Sequence, residues 1–243
     1  MKIALITGSC GLVGSETAEF FIRKKFKVLG IDNNFRKYFF GSDGSTLWMK
    51  NFLKKKYKKK YIHFNTDIRK FKDIEKIFTK YKKKIKVIIH SAAQPSHDWA
   101  ALNPEIDFEI NALGTLNILK LTKKYLPKNT PFIFMSTNKV YGDNPNKLKV
   151  NENKFRFDLK KKHNYYKGIN ENMSIDKCVH SFFGVSKLSA DIMVQEHGVN
   201  FGMNTVCFRA GCITGSKHSG ARLHGFLSYL VKKSISEKKY TVI

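Results

Sequence analysis

The sequence predicts an α/β fold: a doubly wound parallel sheet covered by helices on both faces. Two observations carry that expectation. Short apolar, β-branched runs alternate with helix-period segments through most of the 243 residues, which is the pattern of strands connected by crossover helices. The first apolar run also leads straight into a glycine-rich turn and then a helix, the order in which a buried parallel strand feeds its crossover.

The elements follow in order. KIALIT (2–7) is the first strand, and the glycines after it open a helix over 12–25. KVLGID (27–32) is the second strand, followed by a helix over 45–58. YIHF (61–64) and KVIIH (86–90) are the third and fourth strands, separated by a helix over 71–83. QPSHDWAALNP reads as a loop, leading to one long helix over 104–125. PFIFMS (131–136) is the fifth strand and NTVCFR (204–209) the sixth, with helices over 184–198 and 221–236 beside it. Between them, 142–180 is long, polar and irregular. Unstructured segments of that length inside α/β domains are uncommon and usually functional, so it is expected to fold over the site. KKYTVI (238–243) reads as the start of a further strand.

The bulk numbers bound the function. A hydrophobic content of 42% suits a globular core. No apolar run reaches bilayer-spanning length, and the N-terminal run is too short for a secretory signal, so the expected compartment is the cytoplasm. Cys10, Cys178, Cys207 and Cys212 form no metal-like pair and read as free thiols; no metal is expected. The formal charge of +26 raises nucleic acid as a partner. Against it, Arg23, Arg36, Arg69, Arg156, Arg209 and Arg222 are the only arginines among 45 basic residues. Nucleic-acid readers favour arginine for bidentate contacts, and runs such as KKKYKKKY suit solvated helix ends.

The turn ITGSCGLVGSE places Gly8, Gly11 and Gly14 between strand and helix. Gly8 allows the tight turn, Gly11 lets the backbone approach a pyrophosphate, and Gly14 lets the helix pack closely. The helix N-terminus then offers free N–H groups to phosphate. Asp32 ends the second strand, where an acid accepts both ribose hydroxyls of NAD and repels a 2′-phosphate. Arg36 and Lys37 lie close enough to soften that preference.

Further strings stand in order: Asp67-Ile68 after the third strand, HSAAQPS (90–96) after the fourth, NALGTLNIL (111–119), MSTNKVYGD (135–143) and GVSKLSAD (184–191). With them the chain resembles the extended branch of the short-chain dehydrogenase/reductase superfamily. Within it the resemblance is to the nucleotide-sugar epimerase/dehydratase family, nearest the CDP-paratose (CDP-tyvelose) 2-epimerase group. FEINALGTLNIL and STNKVYGD are the most telling strings, and the resemblance covers essentially the whole chain. It implies a Rossmann-type NAD-binding domain over 1–180, with the active-site loop at 142–180. The lysine-bearing helix and sixth strand of the same domain fall at 181–210. A substrate-binding domain starts at 211–243 and breaks off, its remainder expected beyond Ile243.

The same resemblance implies cofactor contacts at Gly8, Gly11, Leu12, Val13, Gly14, Asp32, Asn33, Arg36, Asp67, Ile68, Ala92, Ala93, Gln94, Asn111 and Lys187. It implies a nucleotide-sugar substrate, CDP-sugar favoured, contacted by Ser96, His97, Thr137, Asn138, Lys139, Cys212, His218 and His224. It implies a homodimer through the 104–125 and 184–198 helices. Thr137 falls at the residue that hydrogen-bonds the reacting sugar hydroxyl, and Lys187 at the lysine that binds the nicotinamide ribose and lowers the pKa of the catalytic tyrosine. That tyrosine is replaced: its position is Phe183, in HSFFGVSK (180–187). A phenyl ring moves no proton; if another group serves instead, His97 and Asp98 are the first candidates, with Tyr165 and Tyr166 behind them. The alternatives are a sugar-nucleotide dehydratase or 4-epimerase, or a relative that binds NAD, nucleotide or nucleic acid with impaired turnover.

Overall fold

The computed structural model describes residues 1–236, so the strand expected at 238–243 lies outside the described residues. β1 (Ile3–Thr7) is buried along its whole length and feeds α1 (Leu12–Arg23). Next come β2 (Lys27–Ile31), the short α2 (Arg36–Phe40) and α3 (Leu47–Tyr57). β3 (Tyr61–Phe64), α4 (Phe71–Tyr81) and β4 (Ile85–His90) follow, then α5 (His97–Leu102) and α6 (Pro104–Phe108). A π-helical turn, Glu109–Leu113, joins α6 to α7 (Gly114–Tyr125), which precedes β5 (Phe132–Thr137). A two-stranded hairpin, β6 (Asn151–Glu152) and β7 (Phe157–Asp158), lies in the long segment before α8 (Ser181–Phe201). β8 (Thr205–Ala210) and α9 (Phe226–Ile235) complete the described chain.

The six long strands form one parallel sheet in the order β3-β2-β1-β4-β5-β8. Side chains alternate across it. Ile3, Leu5, Leu29, Ile31 and Ile88 pack on one face with Phe78 of α4, Ile118 of α7 and Val194 of α8. Ala4, Ile6, Val28, Val87 and Ile89 pack on the other with Ala18 and Ile22 of α1 and Met49 and Leu53 of α3. Strands buried on both faces read as continuous apolar runs, which makes the central ones legible in sequence.

Four features differ from the sequence reading. The loop after β4 contains a helix, α5, whose first turn is capped by Ser96: its Oγ accepts the Trp99 N–H at 3.3 Å. The helix expected over 104–125 is broken by the π-helical turn, with Pro104 opening α6. α8 begins at Ser181, so Phe183 lies inside the helix. α9 begins at Phe226 rather than 221, because Gly225 adopts a left-handed conformation (φ +90°) and its predecessors form an irregular strap.

The 142–180 segment builds its own small core. Val140, Tyr141 and Met173 are buried there, with Leu148, Tyr165, Ile175 and Leu188 against them.

Candidate active site

The carboxyl ends of β1, β2, β4 and β5 open onto a cavity of about 490 Å³. It lies where the strand order reverses between β1 and β4, the place where doubly wound sheets bind ligands.

One end is built from the glycine turn. Gly8 has φ +65°, and a β-carbon on it would lie 2.7 Å from the Ala92 nitrogen. One on Gly14 would collide with the Gly8 carbonyl at 2.1 Å. Gly11 differs: a β-carbon there meets only Gly8 O at 3.4 Å, so its outer side faces open space. Asp32 fixes the turn from β2, accepting the Cys10 N–H on Oδ2 at 2.9 Å and the Asn34 N–H on Oδ1 at 2.8 Å. Each oxygen retains accepting capacity. Burial pushes the Asp32 carboxyl up, against the pull of those two N–H groups. Asp67 is braced by Arg69 at 2.9 Å and accepts from Asn33 Nδ2 at 3.2 Å. Leu12, Val13, Asn33, Ile68, Ala92 and Ala93 complete this end.

A strap formed by residues 211–224 closes the groove from outside. Arg36 donates to Ser219 O at 2.8 Å and lies 3.2 Å from His224 Nδ1, with its guanidinium over Phe40. Trp48 Nε1 donates to Ser219 Oγ at 2.8 Å, and Lys217 pairs with Glu16 at 3.0 Å and with Glu19. Arg36 is thereby committed to the strap rather than left free beside Asp32. Burial, with Arg36 and His218 adjacent, pushes His224 down to about 3. His218 Nδ1 is buried with no hydrogen-bond partner among the described residues, and Cys212 lines the same wall in an exposed position. Arg36→Ala should free the strap. Loss of a charged hydrogen bond of about 1.5–3 kcal/mol is expected to speed tryptic cleavage after Lys217 or Arg222 roughly tenfold or more where opening precedes cleavage. Timed limited proteolysis measures it.

The other end gathers titratable and hydroxyl side chains. Thr137, at the end of β5, caps the following turn by accepting the Lys139 N–H at 3.2 Å; Asn138 and Lys139 also line the cavity. Lys187 and Phe183 stand one helical turn apart on α8, both facing it. Lys187 Nζ donates to Met135 O at 2.8 Å and lies over the Phe134 ring. Burial pushes its ammonium down to about 8, against the pull of Asp191. His97, the first residue of α5, meets Phe183 edge-on at 4.7 Å between ring centroids. Burial, with Lys139 beside it, holds its imidazole below the ordinary value, against the opposing effect of Asp98.

Several candidates lie elsewhere. Asp98 is exposed on the outer side of α5 and does not line the cavity. Successive helical residues point about 100° apart, so only one of the two neighbours can face inward, and His97 does. Tyr166 is solvent-exposed, Tyr165 is held in the small core, and no residue of 142–180 lines the cavity. Gln94 and Asn111 are buried behind it: Gln94 Nε2 and Asn111 Nδ2 both donate to Asp107 Oδ1, at 2.8 and 3.0 Å. Ser96 is the α5 cap. Sequence reasoning missed Ser181, which lies 2.8 Å from His97 Nδ1, and Arg209, which braces the β5 end through Asp191 and Tyr141. Their contacts span 84 and 18 or more positions, and nothing local announces them.

The sequence matches the profile of the NAD dependent epimerase/dehydratase family over residues 4–243. The chain belongs to that family. A CDP-paratose 2-epimerase of Salmonella typhi is 34% identical over 241 residues, covering 98% of this chain and 65% of its own length. A UDP-glucuronate 4-epimerase of Thermodesulfobacterium geofontis is 33% identical over 148 residues, 60% of this chain and 42% of its own. Among solved structures, the UDP-glucose 4-epimerase of Thermus thermophilus in complex with NAD superposes with a TM-score of 0.73 at 20% identity. It is matched over 99% of this chain and 65% of its own. The NAD complex of dTDP-glucose 4,6-dehydratase from Bacillus anthracis superposes with a TM-score of 0.69 at 17% identity, covering 98% and 63%. At such identities these superpositions show the shared Rossmann-type fold. The chain spans 65% of the length of the Salmonella typhi relative. The family's cofactor fits the residues present: the open side of Gly11, the left-handed turn at Gly8 and the Asp32 carboxylate are the features a dinucleotide needs.

Proposed function

We propose that this chain carries the cofactor and reaction centre of an NAD-dependent epimerase acting on a nucleotide-activated sugar, a CDP-sugar inverted at C2 being favoured, with His97 as the acid/base in place of the family's tyrosine. The observation that supports it best is the convergence of Thr137, Lys187, Phe183 and His97 on one end of the cavity whose other end is the glycine turn. The glycine turn and the first turn of α1 hold the pyrophosphate, and Asp32 the adenine-side ribose. NAD, held there, would supply the hydride acceptor and donor for the sugar carbon. Thr137 Oγ1 orients the reacting hydroxyl. His97 takes its proton as the carbonyl forms and gives it back when the hydride returns. Lys187 holds the nicotinamide ribose. The CDP preference rests on the 34% identity to the Salmonella typhi enzyme along nearly all of this chain.

The chain is proposed to form a homodimer through the α6–α7 and α8 helices. Phe108 and Leu113 on the first, and Val185, Ile192 and Val199 on the second, are exposed apolar side chains. Among the described residues no helix is long and apolar enough to cross a membrane.

The test is purified protein analysed for bound NAD and challenged with a panel of CDP- and other nucleotide-sugars, with deuterium at the sugar carbons. Transient reduction of the bound cofactor and inversion at one carbon are expected; no reduction by any sugar sinks the reading. Asp32→Asn is expected to weaken NAD retention about 10- to 100-fold, the worth of a charge-assisted hydrogen bond, and to narrow the preference over NADP. Cofactor titration measures both.

A further inference from the structure

Ser181, the first residue of α8, adopts a left-handed backbone with φ +64°. Residues bearing a β-carbon avoid that region, so specific contacts must hold it there. The Ser181 Oγ accepts the Gly184 N–H at 3.3 Å and lies 2.8 Å from His97 Nδ1. One hydroxyl therefore ties the first turn of the helix bearing Phe183 and Lys187 to the first residue of α5. The hydrogen bond of His97 is made at Nδ1, and the ring lines the cavity.

We propose that Ser181 is the positioning residue of the acid/base: by accepting the proton on His97 Nδ1, it fixes the tautomer whose bare Nε2 faces the reacting hydroxyl. This rests on the role given to His97 above. A neutral imidazole carries one N–H, and only its other nitrogen accepts a proton. With Nδ1–H donating to Ser181, the serine oxygen receives two N–H groups, one on each lone pair, and its own O–H is left to solvent, to which Ser181 is exposed. In the forward half-reaction the sugar O–H bond breaks and its proton passes to Nε2. The hydride leaves the same carbon with its electron pair for the nicotinamide cofactor, and a C=O bond forms. In the return half the proton leaves Nε2 for the oxygen as the hydride comes back. No net proton or electron is consumed.

The groups facing His97 agree with this assignment. Lys139 approaches from the turn after β5, His224 from the strap and Asp98 from α5 itself, and the Phe183 ring covers one edge. Burial and Lys139 favour the neutral ring, and the α8 N-terminus beside it disfavours added positive charge. The choice between the two neutral tautomers then falls to hydrogen bonding, and Ser181 is the group at Nδ1.

The test uses the full chain with ¹⁵N-labelled histidine. NMR reads the tautomer of His97, assigned by comparison with His97→Gln. The Nδ1–H form is expected to predominate, and Ser181→Gly to shift the ring toward Nε2–H. Glycine relieves the left-handed backbone, so α8 keeps its start. Ser181→Gly is also expected to lower kcat roughly 10- to 100-fold with KM little changed, part of what a positioned acid/base contributes, and to move the acid limb of the kcat profile. Ser181→Asn tolerates the backbone, offers an acceptor oxygen, and is expected to recover part of the loss. An unchanged tautomer and kcat in Ser181→Gly, with His97→Ala inactive, overturns the proposal alone. Wild-type turnover in His97→Ala overturns the role of His97, and this proposal with it.

Discussion

His97→Ala is expected to lower turnover by about 10²- to 10⁴-fold, the range a positioned general acid/base is worth, while KM for the nucleotide-sugar changes little. The reason is geometric. Phe183, at the position the resemblance gives to the family's phenol, is 7% exposed, so it transfers no proton and admits little water. His97 sits edge-on against that ring, so its free nitrogen serves nearly the same space. A second substitution sharpens the expectation. Phe183→Tyr returns a phenol to the α8 turn that already holds Lys187, and in the His97→Ala background it should recover a large part of the lost rate. In the wild-type background the same change should do little, because a base is already present. Such non-additivity is the signature of two groups performing one task. Steady-state and single-turnover rates for the four proteins decide it. The pH dependence has a definite sign. In the proposed role His97 acts in its neutral form, and its pKa is held below the ordinary 6.5. Wild-type turnover should therefore persist as pH falls below 6.5, and the acid limb should vanish in His97→Ala.

Arg209→Ala is expected to destabilise the fold by about 3–5 kcal/mol, the cost of stranding a buried charge. Asp191 is 0% exposed and accepts from Arg209 Nη2 at 2.9 Å and Nε at 3.2 Å. It also accepts from Ser136 and from Gln195 Nε2 at 2.6 Å. One carboxylate thus binds β8, β5 and α8 together directly beneath Thr137. Burial raises its pKa, but Arg209 and Ser136 outweigh burial and hold it below the ordinary 3.8. A depressed carboxyl contributes stability above its unfolded pKa, and that contribution fades as pH falls through the folded value. The difference between wild type and Arg209→Ala, read from urea unfolding, should be full at neutral pH and shrink only in strong acid. Adding Asp191→Asn should recover part of the loss, since the stranded group is then neutral.

The sequence revealed most where burial imposes periodicity. Ile3–Thr7 is apolar because both faces are covered, Phe132–Thr137 because one face is fully buried and the other half-buried, and each lies within a residue of its expected bounds. The glycine turn was legible because Gly8 and Gly14 answer to steric limits that only glycine meets. The reading weakened where a single side chain decides the geometry. Ser96 turns an expected loop into α5, and with it decides that His97 faces the cavity and Asp98 does not. The 142–180 segment looked like a covering loop because it is polar and long. A few apolar anchors, Tyr165, Met173 and Ile175, draw it away to a core of its own. The strap was invisible because its attachments, such as Arg36 to Ser219, join residues 183 positions apart.

The π-helical turn at Glu109–Leu113 acts as a phase corrector. One surplus residue in a helix rotates everything before it by about 100° relative to everything after. Here α7 keeps Ile118 and Leu119 toward the sheet, while upstream Asp107 is clocked to meet Gln94 and Ser186. Those two partners belong to the segment that carries His97 and the helix that carries Lys187. Deleting a single residue from the π turn would leave a better α-helix and a worse-aligned cavity wall. The rod would straighten, Asp107 would swing out of the cluster, and the segments bearing His97 and Lys187 would lose their common reference.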